Sequence, residues 1–188
     1  MKIKNKSILW ESHLYRGHDY CMIQSIKGAW EIAGTALLLI DRLPSRLNYT
    51  VHCDSRWRTS FALIEGFVGN TNINIRVEVT DSHDWHINGE VQPNLRGCLD
   101  IDLGFTPATN SLPIQRLALE VGASSKITAA WLKIPDFCFS PLDQEYSRTS
   151  ELDYLYQSRD GAYSTALVVN KSGFVTKYPK LWTQQGVT

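Results

Sequence analysis

Asp100 and Asp102 stand two residues apart in the stretch Cys98-Leu99-Asp100-Ile101-Asp102-Leu103. On a strand such residues point to one face, and a rise of ~3.3–3.4 Å per residue separates the carboxylates by roughly 7 Å. That spacing suits an acid/base pair, a hard cation or hydrogen bonding to a sugar. The competing reading is structural, with Leu99, Ile101 and Leu103 facing the core and both aspartates facing solvent. His83, Asp84 and His86 gather possible ligands next to Asn88-Gly89. No third imidazole or thiol lies near them in sequence, so they read as a solvated hairpin edge, and no metal site is expected. His52 and Cys53 are neighbours on a predicted strand and point opposite ways. Cys53 shares the phase of Leu47, Tyr49 and Val51, which makes it a buried, inert thiol.

Arg56-Trp57-Arg58, Trp85, Tyr146, Tyr154, Tyr156, Tyr163, Tyr178 and Trp182 offer flat faces with polar tips, as carbohydrate or amphiphile surfaces require. The same residues are strong strand formers, and ordinary sheet packing accounts for any single one of them. The chain has no G-x-S-x-G elbow, P-loop, G-x-G-x-x-G turn or H-E-x-x-H motif. Any enzyme built from it works without a local signature, and its catalytic residues are unknown.

The elements that must position these residues are mostly strands. Leu47 to Cys53, Ile73 to Val79, Leu99 to Leu103 and Tyr163 to Val169 alternate apolar and polar residues with a period of two. Trp30 to Ile40, Phe61 to Val68 and Ile127 to Ile134 are apolar in both phases, as strands covered on both faces are. Asn88-Gly89 supplies the positive-φ pair of a two-residue hairpin joining Trp85-His86-Ile87 to Glu90-Val91, so adjacent segments are expected to pair antiparallel. Helical signal is confined to Thr106 through Leu119, with capping hydroxyls, prolines acceptable in a first turn, and Gly122 as its stop. Many antiparallel strands and one central helix predict a mainly β barrel or roll closed around that helix.

The 188 residues are 43% hydrophobic and carry 19 basic against 19 acidic side chains. That composition fits one folded domain over residues 1–188 and removes the broad positive field that phosphate-backbone binding uses, so no nucleic-acid partner is expected. The longest apolar run, Ala36 to Ile40, is far short of the ~20 residues of a membrane span. The basic start, Met1 to Lys6, is followed only by Ile8-Leu9-Trp10, short of the ~7–15 apolar residues of an export signal. Cys21, Cys53, Cys98 and Cys138 form no C-x-x-C pair and read as reduced thiols in cytoplasm.

Three stretches resemble a bacterial family described as putative glycolipid-binding proteins: Cys53 to Arg58, Gly97 to Leu117, and Tyr178-Pro179-Lys180-Leu181-Trp182. Asn88-Gly89 before Pro93, Ala130-Trp131 leading to Pro135-Asp136, and Gln144-Glu145-Tyr146-Ser147-Arg148 fit as well, and the similarity runs from about Trp10 to Trp182. The resemblance implies a spiral β-roll, a many-stranded sheet wrapped around a single α-helix, that forms a homodimer. It also implies non-enzymatic binding of a lipid or glycolipid, with no cofactor. On that reading Arg56, Trp57, Arg58, Asp100, Asp102, Thr109, Asn110 and Arg116 line or gate the ligand site. Two alternatives stay open. One is an enzyme on a small or sugar-containing metabolite, using Asp100 or Asp102 as acid/base. The other is a structural or interaction protein in which Asp100, Asp102, Thr109 and Asn110 bond the local backbone and face no open pocket.

Overall fold

The computed structural model describes residues 5–188; residues 1–4 of the basic start lie outside it. The first strand, β1 (Lys6–Ser12), and the last, β15 (Trp182–Val187), pair antiparallel in the middle of a 15-stranded sheet. Two arms leave that seam in opposite directions. One runs through β2 (Gly17–Ile26), β3 (Ala29–Ile40), β4 (Leu43–Cys53), β5 (Thr59–Val68), β6 (Thr71–Val79), β7 (Trp85–Ile87) and β8 (Glu90–Val91). The other runs back through β14 (Val175–Tyr178), β13 (Tyr163–Val169), β12 (Asp153–Ser158), β11 (Cys138–Arg148), β10 (Ser124–Lys133) and β9 (Asp100–Leu103). All neighbours are antiparallel except β9, which lies parallel to β10. Tight turns explain the antiparallel order: Asn88 and Gly89 take φ of 51° and 84°, and Asp41 and Arg42 take 50° and 65°, the left-handed pairs that match the twist of a hairpin.

The sheet does not close by a strand ladder, yet its β9 end is not an open edge. The Thr59 amide on β5 donates to the Leu99 carbonyl at 2.9 Å, and the Thr59 hydroxyl accepts from the Ile101 amide at 3.1 Å. The Thr109 hydroxyl accepts from the Leu103 amide at 3.1 Å. Two threonine side chains thus satisfy donors that an edge strand would otherwise leave bare. The second arm ends inside the first, and the result is the expected spiral roll.

Its interior holds one short helix, α1 (Ser111–Leu117), entered through a 3-10 turn, Ala108–Asn110. Ser111 to Ile114 are buried, with Pro113 in the first turn, where its missing amide costs no hydrogen bond. The helix ends at Ala118, which takes φ of 43°, four residues before the predicted stop at Gly122. Its entry is ordered by the Thr106 hydroxyl, which accepts from the Ala108 amide, and no side chain caps α1 directly.

Of the three strands apolar in both phases, only β10 is covered on both sides: Ala129, Ala130 and Leu132 are buried and Trp131 is half-buried. On β3 and β5 the outward phase is bare, with Leu37, Leu39 and Phe67 exposed. The difference lies in the spiral. β9 and β10 end up between other layers, whereas β3 and β5 form the outer wall, and apolar content alone carries no record of that placement.

Candidate functional site

β9 has protein on both faces. Ile101 and Leu103 are buried on one, in register with Ala130 and Leu132 of β10; Asp100 and Asp102 share the other with Ala129 and Trp131. The solvent-facing reading is therefore overturned for Asp100, which is 1% exposed, and in part for Asp102, which is half-buried on the same face. Arg116, on the last turn of α1, meets Asp100 in a two-pronged ion pair, Nε to Oδ1 at 3.0 Å and Nη2 to Oδ2 at 2.5 Å. Planar guanidinium matches planar carboxylate, so each neutralises the other where water is scarce. Burial nonetheless holds the Asp100 carboxyl above its ordinary range, with the Arg116 pair opposing that rise.

Among the described residues Asp102 has no cationic partner. The Gln144 amide on β11 donates to its Oδ2 at 2.7 Å, and burial pushes the Asp102 carboxyl up to about 6. The chain of contacts continues: the Tyr146 hydroxyl donates to the Gln144 carbonyl oxygen at 3.3 Å and accepts from the Asn110 amide at 2.9 Å. Tyr146, Tyr156, Tyr163 and Tyr178 then pack edge to face on the inner side of the second arm. Burial raises Tyr146, Tyr156 and Tyr178, so their hydroxyls stay protonated. Apart from Ser111 Oγ, every buried side-chain polar atom among the described residues has a partner, the condition under which a polar interior is rigid rather than destabilising.

Gln144, itself only 3% exposed, is where this network borders a cleft. The cleft, of about 610 Å³, lies where β11 outruns β12: their pairing begins at Gln144 opposite Ser158, and Asp160 and Gly161 of the turn after β12 border it. Its wall is polar, with Lys126, Thr128, Asp143, Glu145, Gln157, Ser158 and Asp160 around Gln144, and Ile127 the one apolar side chain of any size. Thr128 donates to Asp143 at 2.7 Å, and the Arg159 amide donates to the Asp143 carbonyl at 3.3 Å while its guanidinium lies over the Trp131 ring. Neither Asp100 nor Asp102 lines the cleft; Asp102 reaches it only through Gln144.

The remaining sequence-derived candidates separate. Asp100 and Arg116 come together, Asp102 and Asn110 join through Gln144 and Tyr146, and Thr109 bonds the backbone of β9. Arg56, Trp57 and Arg58 stay on the turn between β4 and β5. Trp57 stacks on Trp30 at 4.3 Å, Arg58 pairs with Asp54 at 2.6 Å, and the Arg56 amide bonds Asp54. Asp84 is held by Ser82 and Arg96, and among the described residues no group of His, Cys, Asp and Glu side chains could hold a metal. Cys53 is buried, and burial, aided by Asp100, drives its thiol far up, as expected of an inert thiol.

A second buried carboxylate escaped the sequence reading. Asp19 on β2 is fully buried and accepts from the Thr106 hydroxyl and, at 2.9 and 3.1 Å, from the Tyr49 hydroxyl. Burial pushes it up to about 7, with both hydroxyls opposing the rise. Gly34, in register between Cys21 and Tyr49, leaves the room: a Cβ there would collide with the Tyr49 hydroxyl. The signal was faint, because both phases of β2 carry apolar residues, Tyr20 and Met22 against Cys21 and Ile23. Gln144 had a clearer one, an amide between Leu142 and Tyr146 on a single phase of β11.

A family model described as putative glycolipid-binding matches residues 7–184, and the chain belongs to that family. Among solved structures it is similar to a DUF1089 family protein from Pseudomonas aeruginosa, at 27% identity over 88% of this chain and 91% of that one, with a TM-score of 0.75. No curated protein matches it.

Proposed function

We propose that this member of the glycolipid-binding family binds the sugar head group of an amphiphile, without transforming it, in the cleft between β10, β11 and the β12–β13 turn. The observation that carries the reading is the chemistry of the wall. Carboxylates, amides, hydroxyls and the Lys126 ammonium line a volume of about 610 Å³, within the range of about 300–1,000 Å³ usual for small-molecule sites. Sugar hydroxyls donate and accept at once, and Asp143, Glu145 and Asp160 accept while Gln157, Ser158 and Thr128 do either. An acyl chain gains nothing from such a surface, so the polar head is what the cleft suits.

Asp102, Tyr146 and Asn110 act here as positioning residues. They fix the Gln144 amide from behind, so that the cleft floor is ordered before a ligand arrives and little entropy is lost on binding. Asp100 and Arg116 satisfy each other and hold α1 to β9, leaving neither charge for a head group. An acid/base role for Asp100 or Asp102 finds no support in this geometry, because neither carboxylate borders the cleft.

The test is NMR titration of the labelled protein with methyl and octyl glycosides of glucose, galactose and mannose, below micelle formation. Saturable shifts at Asp143, Gln144 and Ser158, with about tenfold weaker binding in Asp143→Ala, are expected, a loss of ~1.4 kcal/mol as fits one hydrogen bond to a charged group. No saturable shift with any glycoside, or shifts that avoid these strands, would sink the proposal.

A further inference from the structure

The outer wall carries a second feature that the cleft does not use. At one end of the roll three turns lie together, β1–β2, β3–β4 and β5–β6: the Leu39 amide donates to the Tyr15 carbonyl, and the Gly69 amide to the Pro44 carbonyl. On the outward face just above them, register places Phe67 beside Arg46, Arg46 beside Leu37 and Leu37 beside His18, with Leu39 one step nearer the turns. Leu37 is 56% exposed and Phe67 46%; Leu39 and, on the β1–β2 turn, Leu14 are exposed as well. Large apolar side chains side by side on an outer sheet face are costly unless something covers them.

The charges around them are one-sided. Arg46 sits within the apolar row, and Arg16 and Arg42 project from the adjoining turns. None of the three is ion-paired among the described residues. Asp41 is the single carboxylate of these turns; Glu11 and Glu65 stand outside the apolar group, beside His18 and one row further along β5. The chain as a whole has no net charge, so a cationic end leaves the remainder anionic.

We propose that this end of the roll docks on an anionic membrane surface, with Leu14, Leu37, Leu39 and Phe67 entering the headgroup layer and Arg16, Arg42 and Arg46 contacting lipid phosphates. Charge complementarity selects this occupant. Arginines interleaved with exposed apolar side chains are what an anionic interface rewards, whereas a second copy of the same patch would set the arginines against one another. The anionic remainder orients the molecule by repulsion. No helix among the described residues is long and apolar enough to cross a membrane, and docking of this kind needs none.

Co-sedimentation tests it, using vesicles of phosphatidylcholine alone and of phosphatidylcholine with phosphatidylglycerol in equal parts. Neither contains a glycolipid, so the result is independent of the cleft. Binding is expected only to the anionic vesicles, and raising salt from about 0.1 M to about 1 M should abolish it. Each guanidinium near the surface is worth about fivefold in partitioning, so Arg42→Gln with Arg46→Gln should weaken binding about twentyfold or more. Leu37→Asp should also weaken it while leaving the melting temperature unchanged, since that side chain points into solvent. Equal sedimentation with both vesicle types, or no loss in these variants, overturns the proposal. So does a dimer, seen by light scattering without lipid, that Leu37→Asp dissolves.

Discussion

The inner faces of the two arms are built differently. In the first arm Ile32, Leu47, Val51, Ile64 and Val77 make a nearly unbroken apolar wall, interrupted by Asp19 and its hydroxyl partners. In the second arm the corresponding surface carries Asp100, Asp102, Gln144, Tyr146, Tyr156 and Ser158, joined by directional contacts. An apolar wall tolerates sliding and repacking, whereas a hydrogen-bonded one has a single satisfied arrangement. The first arm is therefore the stabilising shell, and the second, at whose rim the cleft opens, is the part whose geometry is fixed closely enough for the ligand site proposed there.

The sharpest way to break that comparison is Arg116→Ala. It strands Asp100 in a buried position and should cost about 3–5 kcal/mol, read from urea unfolding. Replacing the pair together, Arg116→Met with Asp100→Leu, should recover most of that loss. If the single variant is harmless, the second arm does not depend on its polar contacts and the contrast fails.

The next effect belongs to the first arm. Asp19 is protonated up to about pH 7 in the folded protein but ionises near ~3.9 when unfolded. Below about pH 4 both states hold the proton and no penalty arises. Between about pH 4 and 7 the unfolded chain binds fewer protons, so this group lowers stability as pH rises, by about 2–4 kcal/mol in total. Asp102 acts with the same sign up to about pH 6. Asp19→Asn should keep the Tyr49 and Thr106 contacts, flatten the pH dependence and raise stability at pH 8. A wild-type stability that climbs from pH 4 to pH 7, with no gain in Asp19→Asn, would contradict the assignment.

The smallest effect tests the outer surface. Trp57→Leu keeps apolar bulk at a half-buried turn position but removes the stacking on Trp30, and should cost about 0.5–1.5 kcal/mol, with the glycoside titration unchanged. Altered glycoside binding in that variant would return the Arg56-Trp57-Arg58 turn to the ligand site.

Much of the fold was legible in the sequence, and for a plain reason. Alternation marks strands because a sheet has two faces, and Asn88-Gly89 marks a hairpin because both residues tolerate positive φ. The site was less so. Asp100 and Asp102 sit in the polar phase of an alternating segment, and that phase faces solvent only when nothing packs on it. Here Arg116 of α1 and Gln144 of β11 reach over that face. Thr109, read as a ligand group, bonds the Leu103 amide at the edge of β9, a contact that depends on the edge lying within reach of the turn before α1.

The sequence by itself determined a mainly β chain with a single helix, the local turns, the burial of Cys53 and the family. Those follow from interactions between neighbours along the chain, or from motifs long enough to be specific. Only the tertiary structure decided which polar residues are interior, that Asp100 meets Arg116 while Asp102 meets Gln144, and that a cleft opens at Gln144 and an apolar, arginine-rich end faces outward. The partners in those pairs lie 16 and 42 residues apart, and their meeting depends on how the arms of the sheet wind, which no local periodicity encodes.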